Sequence, residues 1–241
     1  MDNKPLAHKV AVVTGASRGL GKAVAQHLAS LGANLVLIGR THDTLAAAAA
    51  DIEREGTTVI PVTCDISNPD TVQETAAFIV ARMSRVDILV NNAGIPAPRT
   101  FAETDFNDWQ SVIGTNLNGV FYLTRALWTA LTASDGGYVV TISGTAGQRG
   151  GGSPAYGAAK FGLTGLNHAI ATAGKAHNVR ATVLYPGSMD TGWRGAPIGE
   201  KPRSESMDPA EVARFVGHLV TSPRDFVVNE ASLNPLSAPL M

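Results

Sequence analysis

Tyr156 and Lys160 stand four residues apart in the stretch Tyr156-Gly157-Ala158-Ala159-Lys160. On a helix this spacing places both side chains on one face. A free tyrosine loses its proton near pH ~10, too high for efficient proton transfer at neutral pH. An ammonium beside it stabilises the phenolate and lowers that value. Such a pair can give a proton to a carbonyl oxygen or take one from a hydroxyl. Alone, the spacing is a weak signal, because it arises by chance in many helices.

A second constellation lies near the N-terminus. The apolar run Val10 to Val13 leads into Thr14-Gly15-Ala16-Ser17-Arg18-Gly19-Leu20-Gly21 and then into helical periodicity. Gly15 permits a tight turn, while Gly19 and Gly21 let a pyrophosphate approach the backbone and let helix pack on strand. The helix start offers free N–H groups and a positive dipole end to an anion, with Ser17, Arg18 and Leu20 beside it. The same residues contain Gly15-Ala16-Ser17-Arg18-Gly19, the pattern of a hydrolase nucleophile elbow. That rival needs a later acid and a loop-borne histidine, but the late histidines His168, His177 and His218 all fall in helical stretches.

The residues after the second apolar run choose between cofactors. NAD-binding proteins carry a carboxylate there for the ribose hydroxyls. This chain reads Ile38-Gly39-Arg40-Thr41. Arg40 offers a planar fork to a 2′-phosphate, and Arg18 a second positive charge, so the expected cofactor is NADP(H) rather than NAD. Asp65, followed by Ile66, is placed either to meet an adenine amino group or to cap a helix.

These residues require a scaffold that gathers strand ends. The chain alternates short, continuously apolar runs with amphipathic stretches. Strands are expected at 10–13, 35–38, 58–62, 86–91, 138–142, 179–184 and 226–233. Helices are expected at 20–31, 41–55, 68–83, 106–133 (one bent helix or two), 155–176 and 208–220. Asn68-Pro69 and Asp208-Pro209 each read as an N-cap followed by proline at the first helical position. Strands covered on both faces lose the polar alternation. The expected fold is therefore α/β, a doubly wound parallel sheet of about seven strands with helices on both faces. Residues 1–241 read as a single domain, with a substrate loop or lid near 187–207.

Composition narrows the classes further. The 241 residues carry a net charge of −1, and 16% of them are charged, against roughly 25% in an average domain. The chain therefore has no basic stripe for nucleic acid. Its one cysteine, Cys64, excludes disulfides within the chain and cysteine-based zinc sites, and no metal is expected. The absence of a long apolar run argues against a membrane span. The polar stretch Met1 to Lys9 is not a secretory signal, and the expected setting is cytoplasmic. The 25 glycines exceed the roughly 7% of average usage and concentrate around these motifs.

Taken in order, Thr14 to Gly21, Asn91-Asn92-Ala93-Gly94, Asn116, Tyr156/Lys160 and Pro186-Gly187 resemble the short-chain dehydrogenase/reductase family, over roughly residues 8–233. The resemblance implies a Rossmann fold and an NADP-dependent oxidoreductase that reduces a carbonyl compound to an alcohol, or the reverse. It implies that Tyr156 is the general acid/base and that Lys160 lowers its pKa and binds the nicotinamide ribose. Asn116 would hold a water that relays protons to Lys160. Asn92, Ala93 and Gly94 would line the adenosine-ribose side and steady the sheet. Pro186, Gly187, Met189 and Thr191 would receive the nicotinamide carboxamide. A homodimer or homotetramer is implied through the two long helices, where Ala158, Gly162 and Gly165 would allow close approach. A non-catalytic NADP-binding sensor or scaffold remains the alternative on the same fold.

The chain departs from the family's pattern in two places. The family's catalytic serine follows the fifth strand, here Ile142-Ser143-Gly144-Thr145-Ala146-Gly147. Counting thirteen residues back from Tyr156 selects Ser143, whereas counting three back from Gly147 selects Gly144. Either Ser143 faces the site, which is the expectation here, or the hydroxyl is missing and Thr145 or water replaces it. The C-terminal segment Val227 to Pro235 lacks the family's frequent V-x-G-x-x-x-x-V-D-G-G ending. It resembles a subset of mostly NADP-dependent carbonyl or hydroxyl oxidoreductases, which argues against an acyl-carrier-protein reductase. The substrate would be set by 95–99, 145–153 and 187–207, with Trp193 either part of the lid or a loose surface tryptophan.

Overall fold

The computed structural model describes residues 4–53, 56–97, 100–150, 153–195 and 198–238. The first half comprises β1 (Val10–Thr14), α1 (Gly19–Ser30), β2 (Asn34–Gly39), α2 (His42–Ile52), β3 (Val59–Thr63), α3 (Pro69–Met83) and β4 (Ile88–Asn91). After α4 (Phe106–Ile113) come α5 (Gly119–Ala126), α6 (Trp128–Ala133), β5 (Tyr138–Ile142) and α7 (Ala146–Arg149). The chain then forms α8 (Pro154–Gly174), β6 (Arg180–Pro186), α9 (Pro209–Thr221) and β7 (Glu230–Leu233).

The sheet has seven strands in the order β3-β2-β1-β4-β5-β6-β7, and all neighbours run parallel. Side chains alternate across each strand. In β1, Ala11 and Val13 therefore enter a core formed with Val24 and Leu28 of α1 and Val216 of α9. Val12 enters the opposite core, with Ile79 of α3, Leu123 of α5 and Ile170 of α8. Both faces of the strand are buried, which is why its sequence is continuously apolar. The strand order reverses between β1 and β4, and ligands of such sheets bind beyond the strand ends at that switch point.

The two helices expected behind a cap-plus-proline pair, α3 and α9, begin as the sequence predicts. The Asn68 side chain accepts from the Asp70 and Thr71 N–H groups, and the Asp208 side chain from that of Ala210. The 106–133 stretch is broken more than once. A π-helical turn spans Gly114–Asn118, and Leu127, with φ −91° and ψ 1°, separates α5 from α6. The helix expected at 41–55 ends at Ile52, because Glu53 turns away with ψ 129°; residues 54 and 55 lie outside the described residues. The final strand is shorter than expected. The carbonyls of Phe226 and Val228 accept from the side chains of Arg180 and Thr182 rather than from a ladder, so pairing begins only at Glu230.

Candidate active site

The turn after β1 explains its own glycines. Gly15 and Gly19 sit at φ 65° and 55°, in the left-handed region that favours glycine. Gly21 is needed for a different reason: a Cβ there would lie 2.3 Å from the Gly15 carbonyl oxygen. Thr14, buried at the end of β1, ties this turn to the end of β4. Its hydroxyl accepts from the Asn92 and Ala93 N–H groups, each at 2.9 Å, and the Asn92 side chain donates to the Thr14 carbonyl at 2.9 Å.

A cavity of about 790 Å³ opens beyond the strand ends, within the range of small-molecule sites. It takes in the glycine turn from Gly15 to Leu20, Arg40, Asp65-Ile66, Asn92 to Gly94, Ser143, Tyr156, Lys160, Pro186-Gly187, Met189 and Thr191. Residues predicted from six separate strand ends, β1 to β6, thus share one wall. Two predicted residues lie outside that wall. Gly21 packs α1 against the turn after β1. The buried Asn116 clamps the β4 loop: its Oδ1 accepts from Ile95 N–H at 2.7 Å, and its Nδ2 donates to the Ile95 carbonyl at 2.9 Å. It does so from the π turn between α4 and α5, and such turns are frequent at functional sites. Asp65 lines the cavity while its carboxylate accepts from Ser67 N–H and Oγ, so it organises the turn before α3. The helix cap itself is Asn68.

The Tyr156/Lys160 pair projects from the first turns of α8. Tyr156 is half-buried against Ala97, Val112 and Ala155. Lys160 is buried, and its Nζ lies 5.6 Å from the centre of the Tyr156 ring. The same Nζ donates to the Ile142 carbonyl at 2.9 Å. Burial pushes the Lys160 ammonium down to about 8.

Ser143 lines the cavity beside Gly144. Its hydroxyl donates to the Lys160 carbonyl at 3.0 Å and packs where a Cβ on Gly147 would lie, 2.3 Å away. It is therefore engaged with the α8 backbone rather than turned to the substrate. The position that faces Tyr156 is Gly144, where a Cβ would lie 3.9 Å from the Tyr156 hydroxyl. The register follows the count from Gly147 because the strand end determines which way each side chain points.

The lid expected near 187–207 is anchored at its base by a bridge between Met189 and Met207. Near its tip, Asp190 accepts from Gly199 N–H at 2.9 and 3.0 Å. The Trp193 ring reaches across the cleft, and a Cβ on Gly94 would lie 3.8 Å from it. Of the other substrate segments, residues 98–99, 151–152 and 196–197 lie outside the described residues. The sequence reading missed Thr115, which the π turn at Gly114–Asn118 brings to the cavity wall, while Ser188, Asp190 and Lys201 line it from within the expected substrate loop. The hydrolase reading finds no support, because none of His168, His177 and His218 belongs to this wall. His168 instead pairs with Glu230 at 2.6 Å. Among the described residues, no cluster of three or more metal-ligating side chains occurs, and no helix is long and apolar enough to cross a membrane.

A parallel sheet with a glycine turn at its switch point and a Tyr/Lys pair at the same end defines a dinucleotide-fold oxidoreductase. The sequence profile of the short chain dehydrogenase family matches residues 9–198, and the chain belongs to that family. It is 34% identical over 236 residues to a 3-oxoacyl-[acyl-carrier-protein] reductase of Synechocystis sp., covering 95% of this chain and 96% of the relative. A 3beta-hydroxysteroid dehydrogenase of Mediterraneibacter gnavus is 37% identical over 185 residues, 76% of this chain and 67% of the relative. Among solved structures, the alcohol dehydrogenase of the archaeon Thermococcus sibiricus, complexed with 5-hydroxy-NADP, superposes with a TM-score of 0.90 at 30% identity. That match covers 97% of this chain and 99% of the other. A metagenomic short-chain oxidoreductase in complex with NADP gives 0.83 at 33% identity, covering 96% and 99%.

Proposed function

We propose that the protein is an NADPH-preferring reductase of a small carbonyl compound, or the oxidase of the corresponding alcohol. The single observation that carries this is the Tyr156/Lys160 pair in the wall of the cavity that also holds the glycine turn. The residues fit a dinucleotide: Gly15 and Gly19 line the cavity in left-handed turns, and Arg18 and Arg40 bring cations to it. NADP-bound relatives of the same fold support the choice. Arg40 would hold the 2′-phosphate, the N-terminus of α1 the pyrophosphate, and the Pro186 to Thr191 segment the nicotinamide end.

When bound, NADPH supplies the hydride. Tyr156 gives its proton to the substrate oxygen as negative charge develops there. The Lys160 ammonium makes that proton easier to release. Asn116 holds the Ile95 loop in place and would hold the water of a proton relay to Lys160. Tyr156→Phe is expected to lower turnover by about 10²–10⁴-fold while NADPH fluorescence still reports binding. Turnover preserved in that variant would refute the proton role. NADPH binding without oxidation by any aldehyde or ketone would favour the non-catalytic alternative.

The exposed Phe106, Trp109, Phe121 and Phe161 on α4, α5 and α8 support a homo-oligomer built through these helices. Gly165 is open on this side, whereas Gly162 is taken up by Leu117 of its own chain, 2.8 Å from a Cβ placed there. A reducing, cytoplasmic setting fits the buried free thiol of Cys64.

A further inference from the structure

The wall beside Tyr156 has a notch. Gly144 is buried and lines the cavity. A Cβ there would stand 3.8 Å from the Pro186 carbonyl oxygen and 3.9 Å from the Tyr156 hydroxyl, with no third atom of the described residues beyond its chain neighbours within 4 Å. A substrate oxygen that enters this space has these two oxygens as its nearest polar neighbours. No side-chain hydroxyl of the preceding loop fills this place. Ser143 donates to the Lys160 carbonyl, and Thr145 opens α7 and is not part of the cavity wall. Among the described residues no turn or loop N–H donates to the Pro186 carbonyl, and it has two lone pairs, enough for a second donor besides a cofactor amide. The backbone at 144 has φ +134°, so glycine is built into the turn and the notch is permanent.

We infer that Gly144 is a specificity-determining residue whose notch receives a hydroxyl of the substrate, selecting carbonyl compounds with a hydroxyl on the adjacent carbon. The hydroxyl donates to the Pro186 carbonyl and lies against the Tyr156 oxygen, while the neighbouring carbonyl oxygen takes the Tyr156 proton. An apolar group in the same place would leave the Pro186 acceptor desolvated and unpaired, which is the condition under which hydroxyl recognition discriminates strongly. For hydroxyacetone the carbonyl carbon gains the hydride of NADPH and its oxygen the proton, yielding propane-1,2-diol and NADP⁺. This inference rests on the carbonyl-reductase reading of the site.

The test compares hydroxyacetone with butan-2-one, which replaces the hydroxyl by a methyl, and with 1-fluoropropan-2-one, which keeps the inductive activation but cannot donate. The expected kcat/KM for hydroxyacetone exceeds both by about tenfold, and Gly144→Ala, whose methyl enters the notch, abolishes the difference. Calorimetry on the NADPH-loaded protein, where alcohols cannot react, is expected to show propane-1,2-diol binding more tightly than butan-2-ol by a similar factor. Equal values for hydroxyacetone and the fluoroketone, or a preference that survives in a folded Gly144→Ala, overturn the inference. Gly144→Ala carries backbone strain; if it does not fold, the wild-type comparison and the calorimetry decide. Reduction of simple aldehydes without any hydroxyl preference defeats this inference alone. Failure to reduce any carbonyl while NADPH binds defeats the proposed function as well.

Discussion

At the residue scale the site depends on one buried ammonium. Lys160 is enclosed by β5 and α8, and loss of hydration brings its pKa to about 8. Below that pH the charge lowers the proton affinity of the Tyr156 oxygen; above it the neutral amine no longer does. The kcat/KM of carbonyl reduction is therefore expected to be level on the acid side and to fall as pH rises through about 8. Lys160→Ala is expected to lower the plateau by about 10²-fold and to remove the break. A wild-type rate that stays level well beyond that pH would contradict the assignment. Ser143 contributes here by position: its hydroxyl closes on the Lys160 carbonyl and joins the end of β5 to the helix that carries Tyr156 and Lys160.

At the element scale, function is set by the few residues just past the C-terminal end of each strand. The end of β2 delivers Arg40 to the cavity, and a carboxylate at that point would repel a 2′-phosphate and accept ribose hydroxyls instead. Arg40→Asp is accordingly expected to weaken NADPH by about 10–100-fold, the scale of a charge-assisted hydrogen bond, with little effect on NADH. Titration of cofactor fluorescence checks this, and an unchanged preference between the two would exclude the phosphate role. The π turn at Gly114–Asn118 has a comparable positional effect. It directs Asn116 to the Ile95 backbone, and it lets Gly119 approach Ile66 so closely that a Cβ would lie 2.7 Å from the Ile66 side chain. One break in the helix thus braces the loops after both β3 and β4.

At the scale of the whole molecule, the end of the sheet opposite the cavity is held by charge. The Asp87 carboxylate, 4% exposed, pairs with Lys9 at 3.0 Å and with Arg85, and accepts from Val10 N–H at 3.0 Å. Burial alone would raise its pKa, but Arg85, the Val10 N–H and Lys9 together hold it below the ordinary value. A carboxylate depressed in the folded state stabilises above the unfolded pKa, and that contribution disappears as pH falls through the folded value. Asp87→Asn is expected to cost about 3 kcal/mol near neutrality, read from urea midpoints. The difference from wild type should shrink below about pH 4. Turnover of the folded variant should be unchanged, because the ion pairs and the cavity lie at opposite ends of the strands. A cost that persists undiminished in acid would show that packing rather than charge is responsible.

The architecture and most of the site were legible in the residues because they obey local rules. Continuous apolar runs mark strands with two covered faces, cap-plus-proline pairs start α3 and α9, and glycines mark where backbone must turn or approach. Strand ends in a parallel sheet all point one way, so motifs recognised separately at Gly15, Asn92, Tyr156 and Pro186 had to converge. The sequence by itself therefore determined the class of fold and the family, and it placed Tyr156 and Lys160 on one helix face. Only the tertiary structure decided which of Ser143 and Gly144 faces Tyr156, since side chains alternate at a strand end and a one-residue shift in register reverses their direction. The same holds for the shortened β7 and the break at Asn116, where side chains distant in sequence, Arg180 and Thr182 in one case and the Ile95 loop in the other, take the backbone partners that local pattern alone would leave to the strand or helix.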